Sequence, residues 1–135
     1  MRQTFSTNTP WEPRVGYARA VRIDQWVLVS GTTATDEQGR LTGPGDAYAQ
    51  TVQVIRNIER ALERAGATLR DVVRTRVYVV DVARDWEDIA RGHREFFGEI
   101  LPACALVQVV LADPAMLVEI EADAVIGSGS QMGPG

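Results

Sequence analysis

The chain has 135 residues, of which 45% are hydrophobic and 24% are charged, and its formal net charge is −4. This length suits one domain, and the apolar fraction is large enough to form a buried core. The 14 basic residues are scattered among 18 acidic ones, which disfavours a nucleic acid as the main partner, because phosphate binding needs clustered Lys and Arg.

Cysteine content and hydropathy set further limits. Cys104 is the single cysteine, so an internal disulfide and a multi-cysteine metal site are excluded and a cytoplasmic location is expected. The N-terminus lacks the apolar segment of a signal peptide, and no apolar run approaches the roughly 20 residues of a membrane helix. Motifs for zinc, dinucleotides and nucleoside triphosphates do not occur, so neither a metal nor a cofactor is expected. The hydropathy likewise predicts no membrane partner.

The first predicted elements are two strands. Residues 1–14 carry no clear pattern and are interpreted as an N-terminal extension. The segment 17–30 alternates and then becomes β-branched, and Asp24 and Gln25 interrupt it, which predicts a strand hairpin. Turn residues between 35 and 45 then predict an exposed loop.

Two helices flank the next predicted strand. Asp46 is a suitable N-cap, and apolar residues recur every three or four positions until Gly66, which predicts a long helix. Residues 72–80 are strongly β-branched and predict a strand ending at Asp81. A second helical pattern follows, with apolar or aromatic residues at Trp86, Ile89, His93, Phe96 and Phe97.

The C-terminal part predicts two more strands, over residues 105–111 and 117–126, separated by a turn at 112–114. The order is therefore ββαβαββ, an α+β domain spanning residues 15–126. Residues 127–135 are rich in Gly and Ser and are interpreted as a flexible tail outside the domain. Two helices cover only one face of such a sheet, so we expect another subunit to cover the other face.

Several short segments, taken in order, carry a resemblance to a known family. They are GYARA at 16–20, VSG at 29–31, QT at 50–51, AGATLRDVV at 65–73, FF at 96–97, PA at 102–103 and VEIEA at 118–122. Together they resemble the Rid family, the YjgF-like reactive intermediate deaminases that are also labelled L-PSP endoribonucleases. The resemblance covers residues 15–126 and takes the last two strands as a closing hairpin.

The resemblance implies a chorismate-mutase-like fold, a homotrimer, and clefts between subunits in which enamines and imines are hydrolysed to ketones and ammonia. It also implies that Tyr17, Ser30 and Gly31 bind the substrate and that Glu119 activates water. The family arginine that holds a substrate carboxylate follows the Pro-Ala pair, and here Cys104 occupies that position. A thiol cannot replace a two-pronged guanidinium, and the loss of about 1.5 to 3 kcal/mol would make carboxylated imines poor substrates.

The carboxylate assignment has alternatives. Glu119 could instead be an ordinary strand residue that faces solvent or pairs with an arginine such as Arg74 or Arg76. Glu121 lies two residues further on and so shares a strand face with Glu119. Either carboxylate could then serve the cleft, or each could raise the pKa of the other.

The remaining candidates also have simpler interpretations. A nucleophilic role for Cys104 needs a nearby base or cation that lowers the pKa of the thiol. His93 is the only histidine that could serve as that base. A buried cysteine at a strand entry and a packed histidine are the ordinary alternatives. Tyr17 could be a half-buried strand aromatic, and Ser30 with Gly31 could serve a turn.

Three functions compete. The first is a Rid-like hydrolase of imines, enamines or related small metabolites that lack a clamped carboxylate. The second is a trimeric small-molecule-binding module or regulator without turnover, which the missing arginine favours. The third is a ribonuclease, which the acidic balance and the solitary histidine disfavour.

Overall fold

The computed structural model describes residues 1–131, which form a six-stranded sheet with two long helices on one face. The strands are β1 (Arg2–Phe5), β2 (Ala20–Ile23), β3 (Trp26–Thr32), β4 (Val72–Val79), β5 (Ala103–Gln108) and β6 (Val118–Val125). The helices are α1 (Trp11–Val15), α2 (Ala47–Arg64) and α3 (Val82–Phe97), with short 3-10 turns at Leu69–Asp71 and Ser128–Gln131. None of the helices in residues 1–131 has both the length and the apolar composition needed to cross a bilayer.

The strands lie in the order β1-β2-β3-β6-β4-β5, and every neighbouring pair is antiparallel except β4 with β5. From β2 to β6 the chain follows the predicted ββαβαββ order. The predicted closing hairpin is wrong, because β4 lies between β5 and β6. Helix α3 is a crossover connection that places β5 parallel to β4, as a connection of that length allows.

The two helices begin where local chemistry predicts. The side chain of Asp46 accepts a hydrogen bond from the backbone N–H of Ala49, and that of Asp81 accepts one from Arg84. Each bond satisfies a helix N–H that would otherwise lack a partner. The apolar stripe of α2 is fully buried, and the core it forms with the sheet includes Val54, Ile55, Ile58, Leu62, Val77, Val79, Ile89, Phe97, Val118 and Ile120.

The opposite sheet face has no covering element within residues 1–131. On β6 every second residue, beginning with Val118, is buried against the helices, while the residues between them are only partly buried. Large apolar side chains on this open face are exposed, including Trp26 at 50% and Leu28 at 45%. An exposed apolar patch of this kind fits the expectation of a covering subunit, while the number of subunits stays a prediction.

Both terminal segments contain structure that the sequence did not predict. The N-terminal extension supplies β1, which pairs with β2, and the short helix α1. At the other end, the backbone N–H groups of Gly127 and Gly129 each donate to Asp71 at 3.1 Å. Residues 127–131 of the predicted flexible tail therefore pack on the domain, which corrects that interpretation for them. The rest of the predicted tail, 132–135, lies outside the described residues, and the domain boundary at residue 126 stays a prediction.

Candidate functional site

The site is built on an irregularity in β3. Val29 pairs with Ala122 and Thr32 with Ile120, so three steps along β3 match two along β6. This extra residue is a β-bulge at Ser30 and Gly31, a feature that often re-aims groups beside active sites. The Ser30 hydroxyl donates to the carbonyl of Ala18 at 2.6 Å and is thereby held in place.

The Glu119 carboxylate lies directly on the Gly31 backbone. A Cβ atom placed on Gly31 would lie 2.8 Å from Glu119 Oε2, a separation that real side chains do not tolerate. Close approach of another group is one reason a strand contains glycine. The bulge and the carboxylate are thus one unit, and Gly31 is required for the position that Glu119 adopts.

The surroundings of Glu119 favour its protonated form more than water does. Partial burial is the main cause, and the neighbouring charge of Glu121 adds to it, while Arg19 opposes both. The net result is that the pKa of Glu119 lies above its ordinary value of 4.5. A carboxylate with a raised pKa is a stronger base than an exposed one, which suits it to take a proton from water.

Arg19 is the site residue that the sequence interpretation missed. Its Nη1 atom donates to the Gly31 carbonyl at 2.8 Å and to the Thr32 hydroxyl at 3.1 Å. The guanidinium carbon lies 5.7 Å from the centre of the Tyr17 ring. Arg19 stood inside the GYARA segment, but strand periodicity gives no sign that its side chain crosses to β3. Arg19 therefore joins Tyr17 to the bulge against which the Glu119 carboxylate lies.

Tyr17 also borders an open groove. The groove has a volume of about 570 Å³ and is lined by Tyr17, Gly16 and Ala18 together with residues of β1 and α1. Glu119 is not among its lining residues. The N-terminal extension therefore forms part of the wall beside the site.

Cys104 lies apart from this cluster within one chain. It sits on the edge strand β5 in register with Thr75, whose side chain faces the helices, whereas Glu119 is in register with Tyr78 on the open face. The interpretation of Cys104 as buried is wrong, because all six residues of β5 are exposed. A role for Cys104 beside Glu119 would require a second copy of the chain.

His93 has a packing role. Its Nε2 atom lies 2.9 Å from the Thr75 hydroxyl, and its ring centre lies 4.7 Å from that of Phe97. Burial lowers the pKa of His93, because burial disfavours the charged imidazole. The Cys104 thiol contacts the carbonyl of Ala105 at 3.7 Å, whereas the His93 ring is engaged by Thr75 and Phe97.

Three other charged residues of the open face, Arg76, Asp123 and Glu121, have partners of their own. Arg76 pairs with Asp123 at 3.1 Å, and Glu121 accepts a hydrogen bond from the Tyr78 hydroxyl. That hydrogen bond is the main reason that the pKa of Tyr78 is raised. Of the two candidate carboxylates, Glu121 is therefore engaged by a side chain, while Glu119 rests against the bulge.

Comparison with known proteins agrees with this fold. The family model described as Endoribonuclease L-PSP matches residues 7–126. The chain is 38% identical over 111 residues to a 3-aminoacrylate deaminase, RutC, of Acinetobacter baylyi, covering 80% of this chain and 85% of the relative. It is 35% identical to a RutC family protein of Pyrococcus abyssi, with 87% and 91% covered. A Mycobacterium tuberculosis structure described as a member of the YjgF/YER057c/UK114 family is 46% identical, covers 93% of this chain and 100% of its own, and superimposes with a TM-score of 0.85.

Proposed function

This chain belongs to the endoribonuclease L-PSP family, which includes RutC and YjgF proteins, and on that premise we propose that it hydrolyses imines or enamines of small metabolites. The observation that carries the proposal is the Glu119 carboxylate, half-buried, with a raised pKa and seated on the Gly31 bulge. A deaminase needs such a group to deprotonate water at the imine carbon.

The proposed reaction uses Glu119 twice. The carboxylate takes a proton from water while the oxygen adds to the imine carbon and the C=N electron pair moves to nitrogen. The proton on Glu119 then passes to nitrogen and leaves a neutral carbinolamine. Glu119 next carries the hydroxyl proton to nitrogen, the C–N bond breaks, and ammonia leaves as the carbonyl forms. An enamine first gains a proton at carbon and loses one from nitrogen, which gives the imine. No redox partner is required, because water supplies the oxygen.

The substrate class follows from the residue at the arginine position. The RutC relative is named for 3-aminoacrylate, a substrate that bears a carboxylate. Cys104 offers no comparable anion clamp, so we propose that this protein prefers imines without a carboxylate. The exposed apolar residues of the open face, and the separation of Cys104 from Glu119 within one chain, support clefts formed between subunits. On the family resemblance we propose that the subunits form a homotrimer that takes a small-molecule substrate.

The direct test is ammonia release from freshly generated imines and enamines with and without a carboxylate. We expect turnover by the wild-type protein, and Glu119→Gln should reduce kcat/KM by about 10²- to 10⁴-fold, the usual contribution of a general base. Glu121→Gln is the matched control because it removes the same charge two residues away on the same face, and it should retain most of the activity. Equal losses in both variants would contradict the assignment of Glu119.

A second variant tests the arginine position. Cys104→Arg should raise turnover of carboxylated imines by about ten- to a hundredfold, which corresponds to regaining a charged hydrogen bond of about 1.5 to 3 kcal/mol. Saturable binding without ammonia release would instead favour the small-molecule-binding module. Affinity for RNA that falls steeply with salt would favour a ribonuclease, which the net charge of −4 disfavours.

A further inference from the structure

Arg19, from the segment before β2, and Glu119, from β6, contact the same peptide. The guanidinium holds the Gly31 carbonyl at 2.8 Å, and the Glu119 carboxylate rests on the Gly31 Cα. The Arg19 side chain is only 13% exposed, so its charge is poorly screened by solvent. The largely buried Arg19 guanidinium is therefore fixed to the peptide against which the Glu119 carboxylate lies.

Arg19 is in turn held by the N-terminal extension. Its Nε lies 4.0 Å from Oε2 of Glu12, a residue of α1 that is 3% exposed. Glu12 also accepts hydrogen bonds from the Thr7 backbone at 3.1 Å, the Thr7 hydroxyl and the Thr9 hydroxyl at 3.0 Å. Burial raises the pKa of Glu12, but these hydrogen bonds and the Arg19 charge outweigh it, so Glu12 stays ionised. The extension thus presents a fixed negative charge to Arg19.

Every element around Glu119 contributes a group to its environment. Glu121 from its own strand repels its charge, and the Tyr78 hydroxyl of β4 is already donated to Glu121. Gly31 of β3 contributes backbone only. Arg19, from the segment before β2, is the group that favours the charged form of Glu119.

From this arrangement we propose that Arg19, anchored by Glu12, is the positioning residue that keeps the Glu119 carboxylate charged and seated on Gly31. The proposal deepens the proposed function, since it assigns a residue that prepares the base. It also assigns a role to the N-terminal extension, which would otherwise be only an edge strand and a short helix.

The test is a titration that needs no substrate. In protein labelled with ¹³C at glutamate carboxyls, the Glu119 signal is identified by its loss in Glu119→Gln, and its midpoint is followed with pH. Arg19→Met should move this midpoint to higher pH, because the neighbouring positive charge is gone. Arg19→Lys should keep the midpoint closer to wild type. Arg22→Met is the matched control, since Arg22 donates to the Ala65 carbonyl at 2.9 Å on the helix side, and it should leave the midpoint unchanged.

An unchanged or lowered midpoint in Arg19→Met would overturn the proposal. Glu12→Gln separates anchoring from simple charge removal: loss of a distant negative charge alone would lower the Glu119 midpoint, whereas release of Arg19 should raise it. A lowered midpoint there would overturn the assignment of Glu12. If the midpoints move as expected but no imine is hydrolysed, the proposed function fails while the electrostatic role of Arg19 stands.

Discussion

The two faces of the sheet differ sharply, although the same strands form both. Along β6, Val118, Ile120 and Ala122 are fully buried under α2 and α3, while the residues between them, Glu119 and Glu121, lie on the open face. Because successive side chains of a strand point to opposite faces, adjacent residues have separate tasks. We therefore expect the stability of the fold to depend on the buried positions and the chemistry to depend on the positions of the open face.

The largest effect on stability should come from the helix-covered face. Ile120→Ala removes a fully buried side chain and should lower the free energy of unfolding by about 2 to 5 kcal/mol. The measurement is urea denaturation followed by circular dichroism. Glu121→Gln, the next residue on the other face, serves as control and should change stability by less than about 1 kcal/mol. Similar losses of unfolding free energy in both variants would contradict the view that stability depends mainly on the helix-covered face.

The open face should show a stability cost that depends on pH. The pKa of Glu119 is higher in the folded chain than its ordinary value of 4.5, so the folded state binds its proton more tightly. Below pH 4.5 this site favours folding, and the benefit disappears as pH rises through the folded pKa. Glu119→Gln should therefore be more stable than wild type near neutral pH, with the gap closing in acid. Unfolding midpoints measured across pH test this, and a gap that widened in acid would contradict it.

The smallest effect is expected at the ion pair on the open face. The Arg76 side chain, 3.1 Å from Asp123, is 40% exposed, and such pairs contribute about 0 to 1 kcal/mol. A double-mutant cycle with Arg76→Gln and Asp123→Asn should give a coupling energy in that range that shrinks with added salt. A coupling energy of several kcal/mol would show that the open face also carries the fold.

Local signals were enough to predict most of the fold. The turn at Asp24 and Gln25 and the helix cap at Asp46 depend on residues close in sequence, and these three residues take the predicted positions. Asp81 follows β4 as predicted and in addition caps α3. The N-terminal strand β1 and helix α1 were not predicted because they are short and polar, and are held by pairing with β2 and by bonds to Glu12. The predicted hairpin of β5 and β6 was wrong because the order of strands in a sheet is decided by pairing between residues far apart in sequence.

The candidate site was only partly predictable. Tyr17, Ser30, Gly31 and Glu119 came from resemblance, and the structure places Glu119 on Gly31 and links Tyr17 to them through Arg19. The contact between a glycine on one strand and a carboxylate on a distant strand leaves no periodic trace in the sequence. Arg19 was missed for the same reason.

The Gly31→Ala variant tests the role of the Glu119 carboxylate, with ammonia release and thermal unfolding measured on the same protein. The added methyl would lie 2.8 Å from Oε2 of Glu119, so the carboxylate must move, and displacement of a catalytic group by about 1 Å can cost about a hundredfold in rate. The free energy of unfolding should change by less than about 1 kcal/mol, because only the flexible end of the Glu119 side chain has to move and alanine restricts the unfolded chain. We predict turnover reduced about a hundredfold with an unchanged unfolding temperature. Full turnover in a folded Gly31→Ala protein would contradict the proposal that the Glu119 carboxylate acts as the base from its position against Gly31.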